Sequence, residues 1–200
     1  MARTTMAYLI EELRGMGNAG TADFTVGTVS YWSDDQLQNL LDRNRLEVYR
    51  EQLQMVPRHV GGGTTEYYEH LSRYELFEET SGGTSIFYIE DSAGVDQGTA
   101  LWEADYRVGK VTFLADTAGS AYYLTGRVFD MNGAAADVWR KKAVQVAASS
   151  SGFDWSTDNM SMKRSQQVSQ AHEMVSYYEG LAWPKTAVMY RGDVDDGALK

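Results

Sequence analysis

The chain has 200 residues, no cysteine and a formal net charge of −10 at pH 7. That length suits one ordinary domain, or one domain with an elaborated insertion, and it can bury a core without covalent staples. The missing thiols exclude disulfides and thiolate metal sites and fit assembly in a reducing cytoplasm.

The acidic excess is uneven. Residues 1–63 carry 6 basic and 8 acidic groups, residues 64–130 carry 4 and 12, and residues 131–200 carry 8 and 8. A surface with that excess repels phosphate, which disfavours tight non-specific DNA binding. The opening stretch MARTTMAYLIEELRG lacks the apolar region of a signal peptide. No segment approaches the ~18–20 apolar residues of a membrane span. The expectation is a soluble protein.

In chain order, Met6, Leu9, Ile10 and Leu13 recur at helical spacing before Gly15 and Gly17, predicting a short amphipathic helix. A polar connector leads to Trp32-Ser33-Asp34-Asp35-Gln36-Leu37. Ser33 and Gln36 have capping-box spacing, the two aspartates suit the positive helix end, and Trp32 with Leu37 can form a hydrophobic staple. Leu37, Leu40, Leu41 and Val48 form one apolar stripe and Leu46, Tyr49 and Leu53 a second, so the helix is expected to run to about residue 55, ahead of Pro57.

From Gly61 to Asp130 the period changes. Tyr67–Phe77, Ser85–Glu90, Ala100–Arg107, Lys110–Ala115 and Ala121–Phe129 are rich in β-formers between glycine-containing turns. They read as four or five strands, antiparallel because the connections are too short for crossovers. Helical spacing then returns with Ala136, Trp139, Ala143, Val146 and Ala147, preceded by Ala135 and capped by Asp130 or Asn132. A loop with Phe153, Asp154 and Trp155 leads to a last helix carrying Val168, Ala171, Met174, Val175, Tyr178 and Leu181 on one side. The expected fold is α+β: a core of about four helices (1–63 and 131–183), an antiparallel strand-rich insertion (64–130) between helices two and three, and an extended tail (184–200).

Motifs that carry chemistry are sparse. Asp91-Ser-Ala-Gly94 and Asp116-Thr-Ala-Gly119 repeat, but an aspartic protease needs glycine directly after the Asp-Ser/Thr pair, so both read as turns. His59, His70 and His172 are scattered without zinc-ligand spacing. The triple glycine 61–63 and Ser81-Gly82-Gly83-Thr84 lack the Lys-Ser/Thr of a phosphate loop, and Arg191-Gly192-Asp193 is a three-residue match of no weight. No nucleophile–base pair or metal cluster emerges, so neither an enzyme nor a cofactor is expected. Tyrosine pairs at 67–68, 122–123 and 177–178 leave open a binding module for carbohydrate or a host protein.

Three patterns together resemble the head-to-tail connector proteins of tailed bacteriophages, also called adaptor or head-completion proteins. They are the capped leucine helix from Tyr31 to Asp42, the alanine-rich helix from Asp130 to Ala143 with its Trp139-Arg140-Lys141-Lys142, and Phe153-Asp154-Trp155 through Ser165-Gln166. They cover roughly residues 31–56 and 128–182. The resemblance implies a virion protein, assembled in the host cytoplasm, whose copies form a dodecameric ring between the portal and the next neck or tail protein. Genomic DNA would pass through its lumen without specific binding. Another neck component, a stopper or a tail-completion protein, is the nearest alternative. On this reading Trp183, Val188, Met189 and Tyr190 contact the portal. Trp32, Leu37, Leu41, Ala135, Ala136, Trp139 and Trp155 pack the core or subunits, and Arg140, Lys141 and Lys142 are candidate intersubunit charges.

Overall fold

A computed structural model describes residues 2–21, 23–26, 28–81, 84–148, 155–157, 160–162 and 164–184. These residues form a mixed α+β structure with four α-helices and antiparallel sheets. Helix α1 (Ala7–Gly17) buries Leu9, Ile10 and Leu13, with Met6 buried just ahead of it, and ends where Asn18 turns left-handed at φ 45°. A hairpin of β1 (Phe24–Val26) and β2 (Val29–Tyr31) follows. Helix α2 (Asp34–Arg43) starts on the expected capping box: Gln36 N–H donates to Ser33 Oγ at 3.3 Å, and Ser33 N–H to Gln36 Oε1 at 2.9 Å.

Helix α2 stops at Arg43, about three turns earlier than its spacing suggests. Asn44 closes it by donating its N–H to Leu41 O and its side-chain amide to Leu40 O. The next residues form β3 (Arg45–Gln52) and β4 (Gln54–Val60). Of the expected second helical stripe only Leu53 is buried; Leu46 is 39% and Tyr49 80% exposed. Val48 is buried in the strand core, and pairing with the distant strand Tyr122–Phe129 outweighs the helical period of a short β-rich run. Pro57, expected to end a helix, sits at a register shift in β4, an edge strand, where a residue without N–H is tolerated. Apart from the β1–β2 hairpin, the strand region thus begins at Arg45 rather than at residue 64.

The remaining strands are β5 (Thr64–Leu71), β6 (Thr80–Ser81), β7 (Thr84–Ser85), β8 (Tyr88–Asp91), β9 (Trp102–Asp105), β10 (Lys110–Phe113) and β11 (Tyr122–Phe129). They form a four-stranded sheet, β4-β5-β10-β9, and a three-stranded one, β3-β11-β8, besides the small β6–β7 hairpin. The chain crosses between the larger sheets at Leu53, whose N–H donates to Tyr122 O. Both sheets contribute to a core of Val48, Leu53, Phe77, Phe87, Ile89, Trp102, Val111, Phe113, Leu124 and Val128. Both Asp-Ser/Thr-Ala-Gly repeats are turns: Asp91 Oδ1 accepts from Ala93 and Val95 N–H, Asp116 Oδ1 from Ala118 and Tyr67 N–H. Gly94 and Gly119 close them at φ 81° and 76°, where a side chain would be strained.

Helix α3 (Met131–Ala148), a hairpin of β12 (Trp155–Thr157) and β13 (Met160–Met162), and helix α4 (Arg164–Leu181) complete the chain. The helices share a second core that includes Met6, Leu9, Leu13, Trp32, Leu37, Leu41, Phe129, Ala134, Ala135 and Val138. The cores are tied by Glu78, which is fully buried. It accepts from Arg3 Nε at 2.6 Å and from Arg127 Nη1 at 3.2 Å, and Arg3 also pairs with Asp42 of α2 at 2.6 Å.

His70 is buried on β5 between Phe113 and Tyr122, its Nε2 3.2 Å from Thr117 Oγ1. Burial holds its pKa below the usual histidine value. The folded state therefore prefers the neutral ring, while the unfolded chain takes up a proton below about pH 6.5. Stability is expected to fall as pH drops through that value, and His70→Gln to flatten this part of a stability–pH curve measured by urea denaturation. Replacing Glu78 with glutamine leaves two arginines facing a neutral group and is expected to lower unfolding free energy by about 3 kcal/mol, measured the same way.

Candidate assembly surface

Helix α3 starts because Asp130 caps it, accepting Gly133 N–H at 3.0 Å, while Asp130 N–H donates to Asn44 O at 2.8 Å. The cap therefore also fixes α3 to the end of α2. Ala134, Ala135, Ala136 and Val138 are buried, and Trp32, Leu37 and Leu41 are fully buried. The helices approach closely: a Cβ on Gly17 of α1 would lie 2.8 Å from Val138 Cγ1. Half-buried Trp139 donates its indole N–H to Met16 O at 3.2 Å, and Tyr178 of α4 donates its hydroxyl to the same oxygen at 3.1 Å. A carbonyl in the last turn of α1, without an intrahelical partner, thus joins three helices.

The basic cluster after Trp139 is engaged inside its own chain. Arg140 pairs with Asp137 and with Glu179 of α4. Lys142 lies 2.8 Å from Asp23 and 5.3 Å over the Trp139 ring. Lys141 stands 5.5 Å over the Trp32 ring, and burial, with repulsion from Arg43, lowers its pKa. These residues, expected to pair with acids of the same or the adjacent subunit, bind α3 to α4 and to the segments flanking α1 and α2 within the chain.

Trp183 is also held internally. Its backbone N–H donates to Asp130 Oδ2 at 2.9 Å, and its ring lies 6.0 Å from Tyr74, against the strand core. Val188, Met189 and Tyr190 lie outside the described residues, as do Phe153, Asp154 and the Arg191-Gly192-Asp193 tripeptide; Trp155 opens β12. The tyrosine pairs do not make one platform. Tyr122 packs on Phe113 at 4.4 Å, Tyr123 lies under Arg50 at 5.2 Å, and of the last pair Tyr177 alone is exposed.

Among the described residues no group of three or more His, Asp or Glu could hold a metal, and no helix is long and apolar enough to cross a membrane. Open grooves lie along the sheets. One of about 550 Å³ runs beside β3 with Leu71, Arg73 and Tyr74; two of about 510 Å³ flank Val56–Arg58 and Ala104–Arg107. The helical spacing of residues 45–55 hides the β4 edge, although the triple glycine between His59-Val60 and Thr64-Thr65 is a hairpin signal.

No model of a known protein family matches the chain, and no curated protein matches its sequence.

If Lys142 and Asp23 serve the fold of a single chain, a double-mutant cycle (Lys142→Met, Asp23→Asn) in urea denaturation is expected to give a coupling of about 0.5–1 kcal/mol. The coupling should not depend on protein concentration.

Proposed function

We propose that the chain is a structural virion protein, a head-to-tail connector whose copies form a dodecameric ring joining the portal to the tail or the next neck protein. One observation carries the reading: the two distant segments that bear the connector-like patterns build one helical core. Lys141 of the alanine-rich helix stands over Trp32 of the capped leucine helix, Asn44 donates to Asp137 at 3.0 Å, and Leu37 and Leu41 share a core with Ala134, Ala135 and Val138.

The net charge of −10 per copy supports a channel role. A ring gathers that charge, and an acidic lumen lets DNA slide without adhering. The protein is then an assembly part that carries out no reaction, and its partners are the portal and the next neck or tail protein.

Portal contact falls to the tail beyond Pro184, with Val188, Met189 and Tyr190 as its apolar residues and Trp183 as the anchor that fixes its root. A truncation after Pro184 keeps that anchor and removes the three. Electron microscopy of portals mixed with the intact chain is expected to show stacked rings, and the truncated chain is expected to leave portals bare. Decoration by the truncated chain overturns the tail assignment; an intact chain that never decorates portals overturns the connector reading.

A further inference from the structure

We propose that copies of the chain join edge to edge through the four-stranded sheet, with β4 of one copy, at Arg58–Val60, pairing with β9 of the next, at Glu103–Asp105. The proposal rests on the ring reading and supplies its subunit contact.

All neighbours in the sheet β4-β5-β10-β9 are antiparallel. In four alternating strands the two outermost run in opposite directions. A second copy in the same orientation therefore brings its β9 alongside β4 in antiparallel register. Such a contact uses two different patches, the heterologous type that closes into rings.

Among the described residues no backbone hydrogen bond joins the outer edge of β4 or of β9 itself to another segment; the chain just past β9 is engaged, Tyr106 O and Arg107 O accepting from Phe77 and Leu76 N–H. An unpaired row of N–H and C=O groups is a template for another strand. Pro57 divides β4 into two regular pieces, with Gln54–Val56 opposite Leu71–Glu69 and Arg58–Val60 opposite Glu66–Thr64. The outer piece projects past β10, whose pairing with β5 stops at Glu69. It is a two-stranded ribbon, marginal by itself in water, and its short edge matches the short β9.

Charge selects the pairing. Strand β4 carries Arg58 and His59 and no acid; β9 carries Glu103 and Asp105 and no base, and all four are exposed. Val56 lies in register with Glu69, Thr112 and Glu103 across the sheet, so the two-residue period puts Arg58 on the face that holds Glu103 and Asp105. Extending the sheet by a copy places the arginine beside two carboxylates, an arrangement that favours a cross-strand pair. The groove along β9, with Glu79 and Asp105 in its lining, leaves room for the incoming strand, and its Arg107 is occupied over the Tyr8 ring at 5.2 Å.

A chain without cysteine makes the contact directly testable. Val56→Cys, Arg58→Cys and Val60→Cys proteins are each mixed with Glu103→Cys protein under mild oxidation, first concentrated at low ionic strength and then on portals. Disulfide-linked pairs are expected with Arg58→Cys or Val60→Cys, and none with Tyr49→Cys, an exposed control away from both edges. Arg58→Glu is expected to cut crosslinking between Val60→Cys and Glu103→Cys proteins by about tenfold, and Asp105→Arg in the partner to restore it. Circular dichroism checks that each variant folds, and the separate β4 positions keep the test decisive if one does not. No interchain disulfide in either setting, or equal crosslinking with the control, overturns the proposal. Rings on portals without the disulfide overturn this contact and leave the ring; disulfides with bare portals support the contact and remove the connector reading.

Discussion

The molecule is held as one piece by a carboxylate that has no exposure to solvent. Glu78 follows Phe77, a member of the strand core, and its oxygens meet Arg127 from β11 and Arg3 from the segment before α1. Arg3 in turn reaches Asp42 on α2. An ionised group at such depth is tolerable only when its partners are in place, so its position demands that the N-terminus, α2 and β11 converge. Apolar burial gives each core its stability, and this cluster sets how the two cores sit together.

Around that tie, polar groups repeatedly do two things at once. Asp130 caps α3 through one oxygen and holds the backbone of Trp183 through the other. The lysines and arginine after Trp139 cover aromatic faces and neutralise acids of neighbouring elements, which keeps a basic run from behaving as a free patch in an acidic protein. Among the described residues the outer edges of β4 and β9 are left without backbone partners, and in the proposed ring these edges provide the subunit contact.

The helical half was largely legible in the sequence, because its signals are local. The Ser33–Gln36 box, the stripe of Met6 to Leu13 and the Asp130 cap each work within one or two turns. The two aspartate turns were readable for the same reason. What failed was the stretch from Arg45 to Val60. Leu46, Tyr49 and Leu53 fit a helical period, and only the far-away β11 makes Arg45–Gln52 a strand. Long-range pairing leaves little trace in a short window. The same holds for the site: the basic cluster was visible, but Asp23 and Glu179, which engage it, are brought in by the fold. Likewise nothing near Trp183 in sequence announces Tyr74 or Asp130.

The carbonyl of Met16, shared by Trp139 and Tyr178, has a consequence for synthesis. It binds a segment that precedes the strands β3–β11 to two helices that follow them. As the chain leaves the ribosome, the strands can collapse on their own apolar residues while α1 still waits for its partners. The helical body closes only after α4 has emerged. A copy therefore acquires its finished form late, and a chain broken off early would present folded strand edges on an unfinished body.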